Sequence, residues 1–355
     1  MPEIEKLIAA FEDPGVVELM INDDGGVFVE RAGAKVERLA VTPAQQDVLA
    51  FVRGVVGAPE EFGARRPYAD LTATDGSRIH VISPPIVKGL TVTVRKRPAH
   101  RPTLQQLVDG ETMTRNCAEF LDYCIQQKMN IMVVGGTSSG KTTLLAALAA
   151  RVNPEERVLI LEDTPELTLP ATHKHAIYMR TRLRDAAGSP DVTLRELVIN
   201  TLRMRPDRVI VGETRGPEAA DMLQAMNVGT DGFLTTLHAN SAREAIGRLE
   251  TLVLQAGIDM PLKAIRQNIV SALDFIVFMS RLADGSRRIV QIAEVTGLEV
   301  ETVSMADLFL LDLRRGAGGL ECNLRAAGTV PRFYERLRRQ GVEPPMHFFR
   351  NDSDS

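Results

Sequence analysis

Residues 135–142 read Gly-Gly-Thr-Ser-Ser-Gly-Lys-Thr, a glycine, four residues and then Gly-Lys-Thr, the spacing of a phosphate-binding loop. Each residue type has a reason. Gly135, Gly136 and Gly140, with Thr137, Ser138 and Ser139 between them, allow the backbone to curl until successive N–H groups face one point as an anion nest. Lys141 would reach the β- and γ-phosphates of a nucleotide, and Thr142 would offer its hydroxyl to Mg²⁺. Thr143 follows in the first helical turn, whose free N–H groups and positive dipole end face the phosphates. A chance glycine turn capping a helix is the bland alternative. Context disfavours it, because the apolar run IMVV precedes the loop and TLLAALAA follows. The loop alone leaves ATP and GTP undecided.

Such a loop needs an acid to organise the metal and a group to hold the attacking water. Two candidates end apolar runs. One is Arg208-Val-Ile-Val-Gly-Glu213, where Gly212 stands in the place many such enzymes give to aspartate. Glu213 would then act alone, through a metal-bound water. The other is Val158–Leu161 followed by Glu162, Asp163 and Glu166, three carboxylates within five residues. Like charges repel, so their convergence asks for a cation or a phosphate-bound water, the alternative being a solvated acidic turn. His238 closes the run Phe233–His238, at the strand edge where ligands bind in parallel sheets. A lone histidine is more often structural, and the other five histidines show no metal-binding spacing.

The elements that must position these groups alternate. From Leu104 onward, short apolar runs at 131–134, 158–161, 209–211 and 233–237 are separated by helical stretches, including 113–127 and 141–151. That alternation predicts an α/β fold with a mostly parallel sheet covered on both faces. A helix after Gly257 and strands at 275–279 and 289–294 follow, and the polar tail HFFRNDSDS is expected to fray. Residues 1–100 read instead as a smaller α+β domain: a helix at 3–11, strands at 16–22 and 26–31, a helix at 43–52 capped by Thr42, and strands at 78–82 and 90–96. The stretch Arg97–Thr103, with two prolines and two arginines, resists regular structure. Residues 1–100 are therefore the N-terminal domain, 101–111 the linker and 112–355 the nucleotide domain.

The 355 residues carry a formal charge of −4, no tryptophan and three cysteines. A mildly acidic chain poor in aromatics lacks the basic field and stacking platforms of a nucleic-acid binder. Cys117, Cys124 and Cys322 fit no common zinc spacing and, being odd in number, no disulfide framework; they read as reduced thiols of a cytosolic protein. No apolar run reaches the ~18 residues that span a bilayer, and the acidic start lacks a secretory signal's pattern.

Three phrases in this order, GGTSSGKTTLL, LEDTPEL and LRMRPDRVIVGETRGPEAADMLQAMNVGTDGFLTTLHANSAREAIGRLE, resemble the Walker A loop, the Asp box and the joined Walker B and His box of the type II/IV secretion system ATPases. LRMRPDR, GE-x-RGPEA, QAMN and TLHANS look most like the CpaF/TadA branch, which serves Tad (tight-adherence) pili. The resemblance implies a RecA-like P-loop NTPase domain preceded by a PAS-like domain. It also implies a homohexamer that hydrolyses ATP with Mg²⁺ between the two domains of each subunit. Glu166 becomes the general-base candidate, with Glu162 and Asp163 orienting Mg²⁺ and the base. Glu213 serves the metal's water, and His238 senses the γ-phosphate. Arg95, in TVTVRKRP, and Arg78, in DGSRIHVISPP, are where the family brings N-terminal arginines to the nucleotide. Arg182, in YMRTRLR, lies in its arginine-finger region. Solvated surface charge is the ordinary alternative for all three. The implied setting is cytoplasmic, peripheral at the inner membrane through a platform protein of a pilus or secretion system, with no nucleic acid bound. Two rivals remain: a conjugation-type secretion or DNA-translocating ring ATPase, and a nucleotide-binding regulator without turnover.

Overall fold

A computed structural model describes residues 2–31, 34–57, 67–97, 101–182, 190–316 and 319–350, the side chains of 315–321 excepted. The chain divides into two compact units, Met1–His100 and Arg101–Ser355.

In the first unit the order is α1 (Glu3–Glu12), β1 (Val16–Ile21), β2 (Val27–Arg31), β3 (Glu37–Arg38), α2 (Gln45–Val56), β4 (Tyr68–Thr72), β5 (Arg78–Ile82) and β6 (Thr91–Arg95). Among the described residues the strands form one antiparallel sheet, β3-β2-β1-β6-β5-β4. Alternation drives it: Val92 and Val94 of β6 and Ile79 and Val81 of β5 point to one face, where Leu7, Phe11, Val48 and Phe51 of the two helices cover them. The helix expected from Pro43 begins at Gln45 instead. Ala44 occupies the N-cap, its N–H donating to the Asp47 carboxylate at 3.1 Å. Thr42 caps nothing; its backbone N–H donates to Glu3.

The second unit opens with a departure from the expected linker. Leu104–Asp109 is helix α3, started by a reciprocal cap between Thr103 and Gln106; residues 98–100 lie outside the described set. Next come α4 (Arg115–Gln126), β7 (Ile131–Gly135), α5 (Lys141–Ala149), β8 (Val158–Glu162), β9 (Ala176–Arg180), α6 (Leu194–Thr201), β10 (Arg208–Thr214), α7 (Glu218–Asn227), β11 (Leu234–His238), α8 (Ala242–Gln255), α9 (Leu262–Ala272), β12 (Phe275–Arg281), β13 (Arg287–Glu299), β14 (Thr302–Gly316), β15 (Gly319–Ala326) and α10 (Phe333–Arg339).

The strands build one sheet, β15-β14-β13-β12-β7-β11-β10-β8-β9, among the described residues. From β12 to β9 every pairing is parallel. The outer hairpins β12 to β15 are antiparallel. β7 and β8 are buried at every position, as strands covered on both faces must be. Ile131, Val133 and Ile210 pack under α4 and α5, while Met132, Val134, Val209 and Val211 pack under α6 to α9. A mostly parallel α/β domain of RecA type, preceded by a smaller antiparallel-sheet domain, is therefore the observed class. In the tail, His347–Phe349 form a 3₁₀ turn, and the rings of Phe348 and Phe349 lie 6.1 and 5.4 Å from that of Phe120. The polar end of the tail, residues 351–355, where fraying is expected, lies outside the described residues. Among the described residues no helix is long and apolar enough to cross a membrane.

Candidate functional site

The chemistry gathers at the C-terminal edge of the parallel strands, where ligands bind in open α/β sheets. β7 delivers the loop and α5 leaves it. Gly140 takes φ +100° and Ser138 φ +58°, left-handed conformations that glycine adopts freely and serine rarely. A Cβ on Gly135 would lie 2.4 Å from the Met279 carbonyl oxygen, so β12 requires glycine there, whereas a Cβ on Gly136 would meet nothing within 4 Å. Ser139 is buried, and its hydroxyl donates to the Gly136 carbonyl at 2.9 Å, so its side chain staples the loop. No side chain caps α5, and its first-turn residues Thr142 and Thr143 stand half-buried and exposed.

Lys141 is 7% exposed. Its ammonium donates to the Gly136 carbonyl at 2.8 Å and lies 3.3 Å from His238 Nδ1. His238 Nε2 lies 2.8 Å from Glu213 Oε1. Burial and the Lys141 charge hold the imidazole below its ordinary pKa, opposed by Glu213. A neutral ring then donates from Nε2 to Glu213 and accepts at Nδ1 from Lys141. Three residues chosen from separate stretches of sequence thus form one chain, Lys141–His238–Glu213.

The acidic turn after β8 divides its labour. Glu162 is buried, and its Oε1 accepts the backbone N–H groups of Glu166 and Leu167, each at 2.9 Å. Burial raises its pKa and the Glu166 charge adds to this, against the two donors and Arg101. Glu162 therefore orients the segment carrying Glu166, which is half-buried. It also explains Gly212: a Cβ there would stand 2.9 Å from Glu162 Cγ. Asp163 is paired with Arg215. Arg215 leaves β10 in a turn whose N–H groups, from Arg215 and Gly216, donate to buried Glu218 at 2.7 and 2.8 Å.

Arg78 and Arg95 are direct cross-strand partners on β5 and β6 of the first unit. Like charges placed opposite each other destabilise a sheet. Glu18 stands across from Arg95 on β1, 3.9 Å away. Arg182 is exposed just beyond β9, its guanidinium donating to the Pro190 carbonyl at 3.2 Å.

Sequence reasoning missed Arg215, Glu218, Arg101 and Arg287. Arg287, at the start of β13, donates from Nε to the Ser138 carbonyl at 3.0 Å, holding the strained residue of the loop. Glu218 and Arg215 lay inside the quoted GETRGPEA phrase. Arg287 had no signal in sequence, since 149 residues separate it from its partner. Among the described residues no three acidic, histidine or cysteine side chains cluster as a metal site.

A RecA-like sheet bearing a Lys141 phosphate loop and acids at neighbouring strand ends defines a P-loop NTPase. The sequence profile of the type II/IV secretion system protein family matches residues 64–310, and the chain belongs to that family; it is an ATPase. It is 36% identical over 299 residues to the conjugal transfer protein TrbB of Rhizobium radiobacter, covering 82% of this chain and 88% of the relative. It is 30% identical over 316 residues to the type IV secretion system protein VirB11 of Brucella suis biovar 1, covering 80% and 87%. The X-ray structure of the Legionella pneumophila ATPase DotB shares the fold, with a TM-score of 0.58 at 18% identity over 81% of this chain and 79% of that one.

Proposed function

We propose that this ATPase powers a conjugation-type (type IV) secretion system, as a homohexamer in the cytoplasm held at the inner membrane by a platform protein. The observation that carries its chemistry is the chain Lys141–His238–Glu213 beside the phosphate loop. The relatives above favour conjugation-type secretion, first read as the alternative, over the Tad-pilus motor.

Residues 135–143 would hold the phosphates of ATP. Thr142 through its hydroxyl and Glu213 through water would hold Mg²⁺, with Asp163 and Glu162 behind them. Mg²⁺ bound there would supply positive charge against the negative charge that develops on the phosphates in the transition state. Lys141 neutralises the same charge, and Glu166, fixed by Glu162, takes a proton from the attacking water. His238 bridges Lys141 and Glu213, so a change at the γ-phosphate end of Lys141 reaches the metal-side carboxylate through one imidazole. Arg78, Arg95 and Arg182 would add positive charge at the nucleotide.

Purified protein should hydrolyse ATP, and Lys141→Ala should not. Deleting the gene should abolish DNA transfer and leave pilus display intact. Normal transfer with pili missing would overturn the conjugation reading in favour of the pilus motor. Strong stimulation of turnover by DNA alone would mark the chain as a DNA translocase.

A further inference from the structure

Side chains on a regular strand alternate between the faces of a sheet. On β10, Val209 and Val211 enter the apolar cluster that holds Met222 and Leu223 of α7, while Ile210 enters the one that holds Leu144 and Leu145 of α5. Continued alternation would put Glu213 on the side of Val211, facing α7 and turned away from the phosphate loop. Glu213 instead meets His238 at 2.8 Å, and His238 meets Lys141 at the start of α5. Thr214 takes the α7 side, its hydroxyl 2.8 Å from Thr235 and 3.4 Å from the Met222 sulfur.

The register states the cause. Ile210 faces Leu234 and Val211 faces Thr235, but Thr214 faces Leu237. Two residues of β10, Gly212 and Glu213, oppose one residue of β11, Thr236. This is a β-bulge, rare in a parallel pair, and such bulges re-aim side chains beside active sites. A bulge disrupts the ladder locally, and a buried carbonyl there needs a donor. Thr236 is 1% exposed, and its hydroxyl donates to the Gly212 carbonyl at 2.8 Å. The other side of the bulge is closed by Glu162, whose Cγ leaves no room for a Cβ on residue 212.

We propose that Thr236 is a positioning residue for hydrolysis: its hydroxyl fixes the Gly212–Glu213 bulge and so turns Glu213 from the α7 face to the phosphate face. The inference rests on the reading of Glu213 as the metal-side carboxylate. Thr236 touches neither nucleotide nor metal; it acts through Glu213.

The test compares ATP turnover of Thr236→Val, Glu213→Gln and the double variant, with binding of mant-ADP in EDTA as the readout of the phosphate loop alone. Thr236→Val should lower kcat by about 10- to 100-fold, the scale for residues that orient a metal-site group, with mant-ADP affinity unchanged. Thr236→Ser should recover most of the rate. The double variant should be no slower than Glu213→Gln, because a residue acting only through Glu213 adds nothing once Glu213 is disabled. Full activity in Thr236→Val beside a disabled Glu213→Gln would overturn the inference and leave the role of Glu213 standing, as would losses that multiply in the double variant. Full activity in Glu213→Gln would remove the reading of Glu213 itself. Should Thr236→Val fail to fold, Thr236→Ser against Thr236→Ala gives the same contrast of hydroxyl kept and hydroxyl lost.

Discussion

β8 and β10 are neighbours in the sheet, paired in parallel from Val158 to Leu161, and each runs from a buried apolar stretch into a glutamate. The two glutamates end in opposite circumstances. Glu162 is 6% exposed and its carboxylate holds the backbone of the next turn. Glu213 is half-buried and reaches across to His238. β8 stays in register with β9 through its last residue, whereas β10 breaks register with β11 at Gly212 and Glu213. An acid at the end of a core strand is thus placed at the right edge by sequence, while its direction is set by the neighbouring strand. One glutamate holds the backbone of its own turn, and the other reaches the histidine beside the phosphate loop.

That division can be broken by substitution, beginning with Lys141, which Glu213 reaches through His238. Lys141→Ala should reduce ATP turnover by about 10³-fold, the scale for deleting a preorganised partner of transition-state charge, while the melting temperature stays near that of the wild type. Glu213→Gln should follow at about 100-fold. Glu166→Gln should fall in the same range if it takes the water's proton, the lower end of what a positioned general base contributes, about 10²- to 10⁴-fold. Wild-type activity in Glu166→Gln would remove it as the base. Glu162→Gln sharpens the comparison most. Glutamine keeps an acceptor oxygen for the Glu166 and Leu167 N–H groups, so turnover should drop only a few-fold. A loss as deep as that of Glu213→Gln would mean that Glu162 acts on the metal directly.

These contrasts explain what was legible beforehand. The phosphate loop is contiguous, each of its residues answers to a local requirement, and the strand and helix around it are periodic. The parallel strands were legible as apolar runs. The edge strand β9 and the hairpin β14–β15 were not, although β9 holds Ile177-Tyr178-Met179 and β14 holds Leu308-Phe309-Leu310-Leu311, because a short apolar run alone does not separate a strand from a piece of buried helix. The capping pair Thr103 and Gln106 was present in the sequence, but the prolines beside it suggested a linker over the start of α3. The bulge at Gly212 was invisible, since a register exists only between two strands. The same holds for Arg287 on the Ser138 carbonyl and for Phe348 under Phe120, contacts between residues more than a hundred positions apart.

The smallest expected effect tests whether Glu162 is a structural acid by using one that stands outside the site. Glu294, on β13, is 6% exposed. Like Glu162, it accepts backbone N–H donors from the segment it holds, here Arg332 at 2.8 Å, at the start of α10. Burial pushes its pKa from 4.5 to about 7, aided by Asp274 and opposed by Arg332. The folded state therefore binds its proton more tightly than the unfolded state does. The stability this supplies is fully present below pH 4.5 and is lost as pH rises through about 7, and it amounts to roughly 1–3 kcal/mol. Denaturant unfolding across that window should show the wild type weakening with rising pH. Glu294→Gln should flatten the curve with ATP turnover untouched. Glu162→Gln should change the slope with the same sign, because burial raises its pKa too. A slope unaltered by Glu162→Gln would mean that Glu162 is ionised at little cost in the folded protein, as an acid facing a cation would be, and the contrast with Glu213 would collapse.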